Sequence, residues 1–192
     1  MNLNYMKRIV AMIGLALTLQ GVRAATAEQQ VIRISTDKTD LVLQVAPNGR
    51  LYQTYLGEKL LHADELRKLK WNVHSGSDVS VGLRGWEVYS GSGNEDYFEP
   101  AIAVTHNDGN ASTWLYSSSK AVDGGTQTDI VLRDDRYPVE VTLHYVAYAK
   151  ENVIKTWSEI RHQEKKPIQL SRYASTMLYF CREAYYLTEF SS

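Results

Sequence analysis

The sequence predicts an all-β protein, an antiparallel β-sandwich. Three observations carry that expectation. Val139, Val141, Leu143, Tyr145 and Ala147 alternate with Glu140, Thr142, His144, Val146 and Tyr148, a period of two that a strand presents to a core. Short apolar runs elsewhere are separated by Asn-Gly, Asp-Gly and Gly-Gly signals, which favour tight turns. Helix-forming composition is confined to residues 64–70, enough for one turn or a loop.

The elements follow in order. Residues 31–35 form a short mixed strand. Leu41-Val42-Leu43-Gln44-Val45 runs into Pro47-Asn48-Gly49-Arg50, where Pro fixes φ and Asn-Gly tolerates positive φ. Leu51-Tyr52-Gln53-Thr54-Tyr55-Leu56 is then expected to pair back as a hairpin. Residues 72–97 read as an irregular Gly-rich stretch with Trp71, Trp86, Tyr89 and Tyr97 in or beside it, and loops of that length are often functional. Residues 101–106 lead into Asn107-Asp108-Gly109-Asn110, and residues 112–118 are expected to pair back on them. Asp123-Gly124-Gly125 is another turn, before a strand at 128–133. After the alternating strand, residues 153–161 place Trp157 on one face and Ile154 and Ile160 on the other, which predicts a sheet covered on both sides. Pro167 breaks the pattern, and residues 168–181 are expected to resume it. Roughly a dozen short strands with tight turns specify a sandwich. No repeat of propeller or solenoid period is visible.

The two ends carry their own signals. Lys7 and Arg8 precede the apolar residues 9–19, a run too short to span a bilayer, and Ala25-Thr26-Ala27 has the small-x-small pattern of a cleavage site. Residues 1–27 are therefore expected to be a signal peptide cut between Ala27 and Glu28, with an uncleaved anchor as the alternative. The expected location is secreted or periplasmic. The sole cysteine, Cys181, excludes an internal disulfide and sits among apolar neighbours, as a buried thiol does. At the other end, Tyr185-Tyr186-Leu187-Thr188-Glu189-Phe190-Ser191-Ser192 is strand-like, without the punctuation that usually closes a domain. The expectation is a sandwich incomplete at its C-terminus, occupying 28–192.

Charge and motifs exclude several functions. Loss of Lys7, Arg8 and Arg23 takes the formal charge from −1 to −4, which argues against nucleic acid as a partner. No basic run suggests a membrane surface after signal cleavage. Ser117-Ser118-Ser119-Lys120 matches an S-x-x-K pattern, but on a strand and without companion motifs. His62, His74, His106, His144 and His162 are not at metal spacing, and no Gly-rich phosphate loop precedes a helix, so no metal or other cofactor is expected. Asn110-Ala111-Ser112 is a glycosylation sequon. Glu95-Asp96, Asp134-Asp135 and Glu99 with Asp108 are acidic pairs. Glycoside hydrolysis needs two carboxylates on opposite sides of the scissile bond. Adjacent residues in a strand point apart, and those in a turn are usually solvated. No catalytic residue is assigned. Thirteen Tyr and four Trp suit strands and also line sugar-binding surfaces.

Two stretches resemble a known family. The first is Asp96-Tyr97-Phe98-Glu99-Pro100-Ala101-Ile102-Ala103-Val104-Thr105-His106-Asn107-Asp108-Gly109-Asn110. The second is Leu132-Arg133-Asp134-Asp135-Arg136-Tyr137-Pro138-Val139-Glu140-Val141-Thr142-Leu143-His144-Tyr145, continued by Ile154-Lys155-Thr156-Trp157-Ser158-Glu159-Ile160. Both are similar to the N-terminal domain of glycoside hydrolase family 36 α-galactosidases, where a segment like EPALQVTHADG precedes one like RYPVEVTLHY. Ala184-Tyr185-Tyr186-Leu187 also fits, at a place where the family domain continues.

The resemblance implies a β-supersandwich that precedes a (β/α)8 barrel. In the family the barrel carries both catalytic aspartates and hydrolyses α-galactosides with retention and without a metal. No catalytic position transfers to this chain. The implied partners are an α-galactoside or oligosaccharide, bound through the barrel, and further copies of the parent if it is a homo-oligomer. Trp86, Tyr89, Asp96, Tyr97 and Phe98 are the expected sugar or interface contacts. The alternative reading is a stand-alone carbohydrate-binding or structural β-sandwich.

Overall fold

Strands β1 (Val31–Ser35), β2 (Thr39–Val45) and β3 (Leu51–Glu58) form an antiparallel sheet in the order β1-β2-β3. They belong to a computed structural model that describes residues 30–69, 87–93 and 99–180. The expected signal peptide with its Ala27–Glu28 junction, Cys181, the terminal run and much of the Gly-rich stretch lie outside the described residues. The hairpin between β2 and β3 is as expected, with Val45 opposite Leu51. Gly49 takes φ 78°, open to glycine at little cost, and its N–H donates to the Ala46 carbonyl at 2.9 Å. Asn48 Oδ1 accepts from the Arg50 N–H at 3.0 Å.

The middle strand is buried on both faces. Leu41 and Leu43 point into the shared core, and Asp40, Val42 and Gln44 are buried on the other side. Asp40 accepts from Arg33 and Ser35, each at 2.5 Å, and from the Leu60 N–H at 2.7 Å. Burial opposes its ionisation, but these bonds and the Arg33 charge outweigh it and hold the carboxyl below its usual range. After β3 comes the one α-helix of the described residues, α1 (Ala63–Lys68), where the Glu65 carboxylate accepts from the His62 N–H at 2.7 Å.

The second sheet runs β5 (Leu115–Val122), β6 (Gln127–Arg133), β7 (Val139–Tyr148) and β8 (Val153–His162) in that order, all antiparallel. The alternation read from residues 139–148 holds: Val139, Val141, Leu143 and Tyr145 are buried, together with Ile130 and Leu132 of β6. From the facing sheet, Ile32, Ile34, Leu41, Leu43 and Leu51 enter the same cluster. One core shared by two sheet faces makes the sandwich.

Three expectations are corrected. Residues 112–118 do not pair back on β4 (Ile102–Thr105). The turn forms, with the His106 N–H donating to the Asn110 carbonyl at 2.8 Å, but one bridge, Thr105 to Ala111, is all that follows. The Ser112 carbonyl instead accepts from the Gly93 N–H at 2.9 Å. β4 pairs with β9 (Gln169–Tyr173), far along the chain. Turn chemistry is local and was legible, whereas the partner of β4 is not. Second, among the described residues β8 is at the edge of its sheet and is covered on one face. Ile154 and Ile160 are partly buried against the core, and Trp157 lies on the outer face. Third, the strand expected over 168–181 ends at Tyr173. The chain then crosses to the first sheet, where the Tyr179 N–H donates to Gln53 Oε1 at 3.2 Å.

Candidate functional site

The turn from β6 to β7, residues 134–138, is built on a buried carboxylate. Asp134 Oδ1 accepts from the N–H groups of Arg136 and Tyr137 at 2.8 and 3.0 Å, and Oδ2 from the Thr113 N–H at 3.1 Å. The expected solvated acidic pair is thus half right: Asp135 is exposed, but Asp134 is buried and organises the loop. Its bonds fix the backbone of Tyr137.

The Tyr137 ring stacks on His106 with centroids 3.6 Å apart and planes 7° from parallel. Its hydroxyl donates to Asp108 Oδ2 at 2.6 Å and accepts from Asn110 Nδ2 at 2.9 Å. The Tyr137 bond, with the Asn110 N–H, pulls the Asp108 carboxyl down to about 2. The same bond pushes the Tyr137 hydroxyl up. The side chain of the sequon asparagine is therefore engaged in this network.

Beneath the ring, His106 Nδ1 lies 2.6 Å from Glu164 Oε1, and Nε2 lies 2.5 Å from Ser112 Oγ. Serine, histidine and carboxylate in series are the connectivity of a hydrolase triad. Burial decides against that chemistry. Ser112 is 1% exposed, His106 is 3% exposed, and Tyr137 caps the imidazole, so no acyl group can reach Oγ. The three side chains satisfy one another's polar atoms and tie the 107–110 turn to residue 164.

Beside this network is a cleft of about 400 Å³ at the end of the second sheet, lined by Arg133, Tyr137, Pro138, Glu140, Arg161 and Gln163 among others. The register explains it. Arg133 of β6 stands opposite Glu140 of β7, and Glu140 opposite Arg161 of β8, so the three charges share the outer face. Arg133 Nε is 3.3 Å from Glu140 Oε2, and Arg161 donates from Nε and Nη2 to Glu159 Oε1 at 3.0 and 2.7 Å. The Arg161 guanidinium holds the Glu159 carboxyl below its usual range.

Further along that face, His144 Nδ1 is 2.7 Å from Asp129 Oδ1, and its ring stacks on Trp157 at 4.7 Å. Lys155 Nζ lies 5.2 Å from the centre of the Trp157 ring. Burial works against the ionised Asp129, but bonds from Gln127 and His144 and the neighbouring charges hold its carboxyl low.

Of the expected contact residues, Trp86, Asp96, Tyr97 and Phe98 lie outside the described residues. Tyr89 is described, and its placement corrects the expectation. It is 1% exposed, and its hydroxyl donates to the Ala174 carbonyl at 2.7 Å, so its ring belongs to the core and offers no surface to a sugar. Burial raises the pKa of that hydroxyl. The sequence reading missed the cleft. Its signal was present in the alternation, because Arg133, Glu140 and Arg161 occupy outward positions next to a turn. Only strand register says that they meet. Among the described residues no His/Cys/Asp/Glu cluster could hold a metal, and no helix is long and apolar enough to cross a membrane.

The glycosyl hydrolase family 36 N-terminal domain matches residues 49–191. No curated protein matches. Among solved structures, a variant of the family 36 α-galactosidase AgaA from Geobacillus stearothermophilus, in complex with raffinose, is similar at 23% identity and TM-score 0.64, over 77% of this chain and 24% of that one. The α-galactosidase from Lactobacillus brevis is similar at 17% identity and TM-score 0.60, over 77% of this chain and 23% of that one. The galactosidase domain of the α-galactosidase–sucrose kinase AgaSK matches at 23% identity and TM-score 0.61, over 76% of this chain and 24% of that one. The chain thus spans about a quarter of the length of the structures it matches.

Proposed function

Because the chain belongs to the glycosyl hydrolase family 36 N-terminal domain family, we propose that it is the non-catalytic β-sandwich of a retaining α-galactosidase acting on terminal α-galactosides. In this reading a separate barrel supplies the nucleophile and the acid/base, and this chain alone turns over no substrate. The observation that carries it is the family match over residues 49–191, on a fold that overlies only a quarter of each α-galactosidase structure. The carboxylates support it. Asp40, Asp129, Asp134 and Glu164 are each bonded into the fold, where a glycosidase pair would face one sugar from both sides.

An exposed apolar surface supports it too. Leu170 is 43% exposed, Tyr173 66%, Leu178 45% and Phe180 57%, all on β9 or just after it. Exposed apolar side chains of this size suit a contact surface, and here the proposed occupant is the rest of the parent enzyme. Export to the periplasm or the exterior is proposed from the basic and apolar N-terminal run and its cleavage pattern.

Two measurements test this reading. Purified chain is expected to release no chromophore from a nitrophenyl α-galactoside, and measurable turnover overturns the proposal. The nucleotide sequence following the Ser192 codon is expected to encode a barrel with a Lys-Trp-Asp segment, in frame or frame-shifted. Unrelated sequence there overturns the proposed parent.

A further inference from the structure

We propose that the cleft at the β6–β7 turn binds a neutral saccharide. Its volume, about 400 Å³, falls within the roughly 300–1,000 Å³ of small-molecule sites. Its charges set the ligand class. The lining carries Arg133 and Arg161 beside Glu140 and Asp134, so its charged side chains sum to zero. A site for an anion would leave cations unmatched, whereas here the nearest carboxylates already hold both guanidiniums.

What remains is hydrogen-bonding capacity directed at hydroxyl groups. Each guanidinium has five N–H donors. Arg133 commits Nε to Glu140, and Arg161 commits Nε and Nη2 to Glu159, so each keeps donors to spare. Glu140 keeps acceptor capacity, and the Gln163 side-chain amide has no partner among the described residues. Vicinal hydroxyls, each both donor and acceptor, match such a mixed set. Pro138 and the edge of the Tyr137 ring, whose faces meet His106 and the Arg136 guanidinium, add an apolar wall.

The site is also pre-organised, which lowers the cost of binding. Tyr137 is held on one face by His106 and at its hydroxyl by Asp108 and Asn110, and its backbone is held by Asp134. The Arg133–Glu140 ion pair crosses from β6 to β7, and Arg161 is held by Glu159 of its own strand.

Calorimetric titration of the full chain with raffinose, maltotriose and galacturonate tests the proposal. Raffinose is chosen because the reading as part of an α-galactosidase suggests a galactoside, whereas the neutral-saccharide class rests on the cleft alone. Saturable raffinose binding is expected, weakened about tenfold in the Arg133→Ala/Arg161→Ala double variant, as loss of bonds to charged donors implies. Both side chains are well exposed, at 61% and 65%, so the variant keeps its fold, and its unfolding transition checks this. Binding of maltotriose but not raffinose supports the site and removes the galactoside preference. Binding of neither, tighter binding of galacturonate, or full affinity in the double variant overturns the proposal.

Discussion

Asp108 shows how one exposed side chain can carry a pH signature. Its carboxyl is drawn to about 2 from 3.8, chiefly by the Tyr137 hydroxyl. A folded-state value below the unfolded one stabilises the fold above the unfolded value, and that stabilisation is lost as pH falls through the folded value. The window is therefore from about pH 4 down to about pH 2. Tyr137→Phe removes the donor, so its stability is expected to fall less steeply than that of the wild type across this window. Urea midpoints measured at several pH values from 5 down to 2.5 check it, and parallel curves for the two proteins would refute it. Asp40 and Asp129 are also held low but are present in both proteins, so the difference isolates Asp108. At this scale the sequence showed the turn residues Asn107 to Asn110 plainly, because their signals are local. It did not show that His106 reaches Ser112, Glu164 and Tyr137 at once, since nothing in spacing brings residue 164 to residue 106.

Strand pairing was legible wherever a tight turn joins the partners. The β2–β3 and β5–β6 hairpins, and the alternation of β7, follow from turn residues and a period of two. β4 is the counter-example: a good turn follows it, yet its partner is β9. The short segment 91–93 helps to enforce this, since Gly91 bridges to Ile102 and Gly93 bonds Ser112. A Cβ on Gly91 would sit 2.5 Å from the Ser112 carbonyl oxygen and 2.7 Å from Trp114 Nε1. Trp114 is 1% exposed and has no room to retreat. Gly91→Ala is therefore expected to destabilise by about 1–3 kcal/mol, as overpacking does. Equilibrium urea unfolding measures it, and a change below about 0.5 kcal/mol, the scale of a neutral surface substitution, would show that the contact yields.

Among the described residues eight large apolar side chains are exposed, four of them along or just after β9. Strands of all three sheets, the β4–β9 pair included, enter one shared core, while Leu170, Tyr173, Leu178 and Phe180 are exposed along and just after β9. Largely exposed side chains contribute little to the fold and much to association. Tyr173→Ser with Phe180→Ser is expected to lower dye binding and light scattering of the purified chain, with thermal stability nearly unchanged. A large fall in the unfolding temperature would instead place these side chains in the core. By itself, the sequence determined the all-β class, the hairpin turns, the buried face of β7 and the family likeness, because each is written in local periodicity, turn chemistry or motif. Tertiary structure alone decided that β4 joins β9, that Tyr89 and Asp134 are buried, and that Arg133, Glu140 and Arg161 form one row. Those outcomes depend on register and on contacts between residues far apart in the chain, which local signals do not encode.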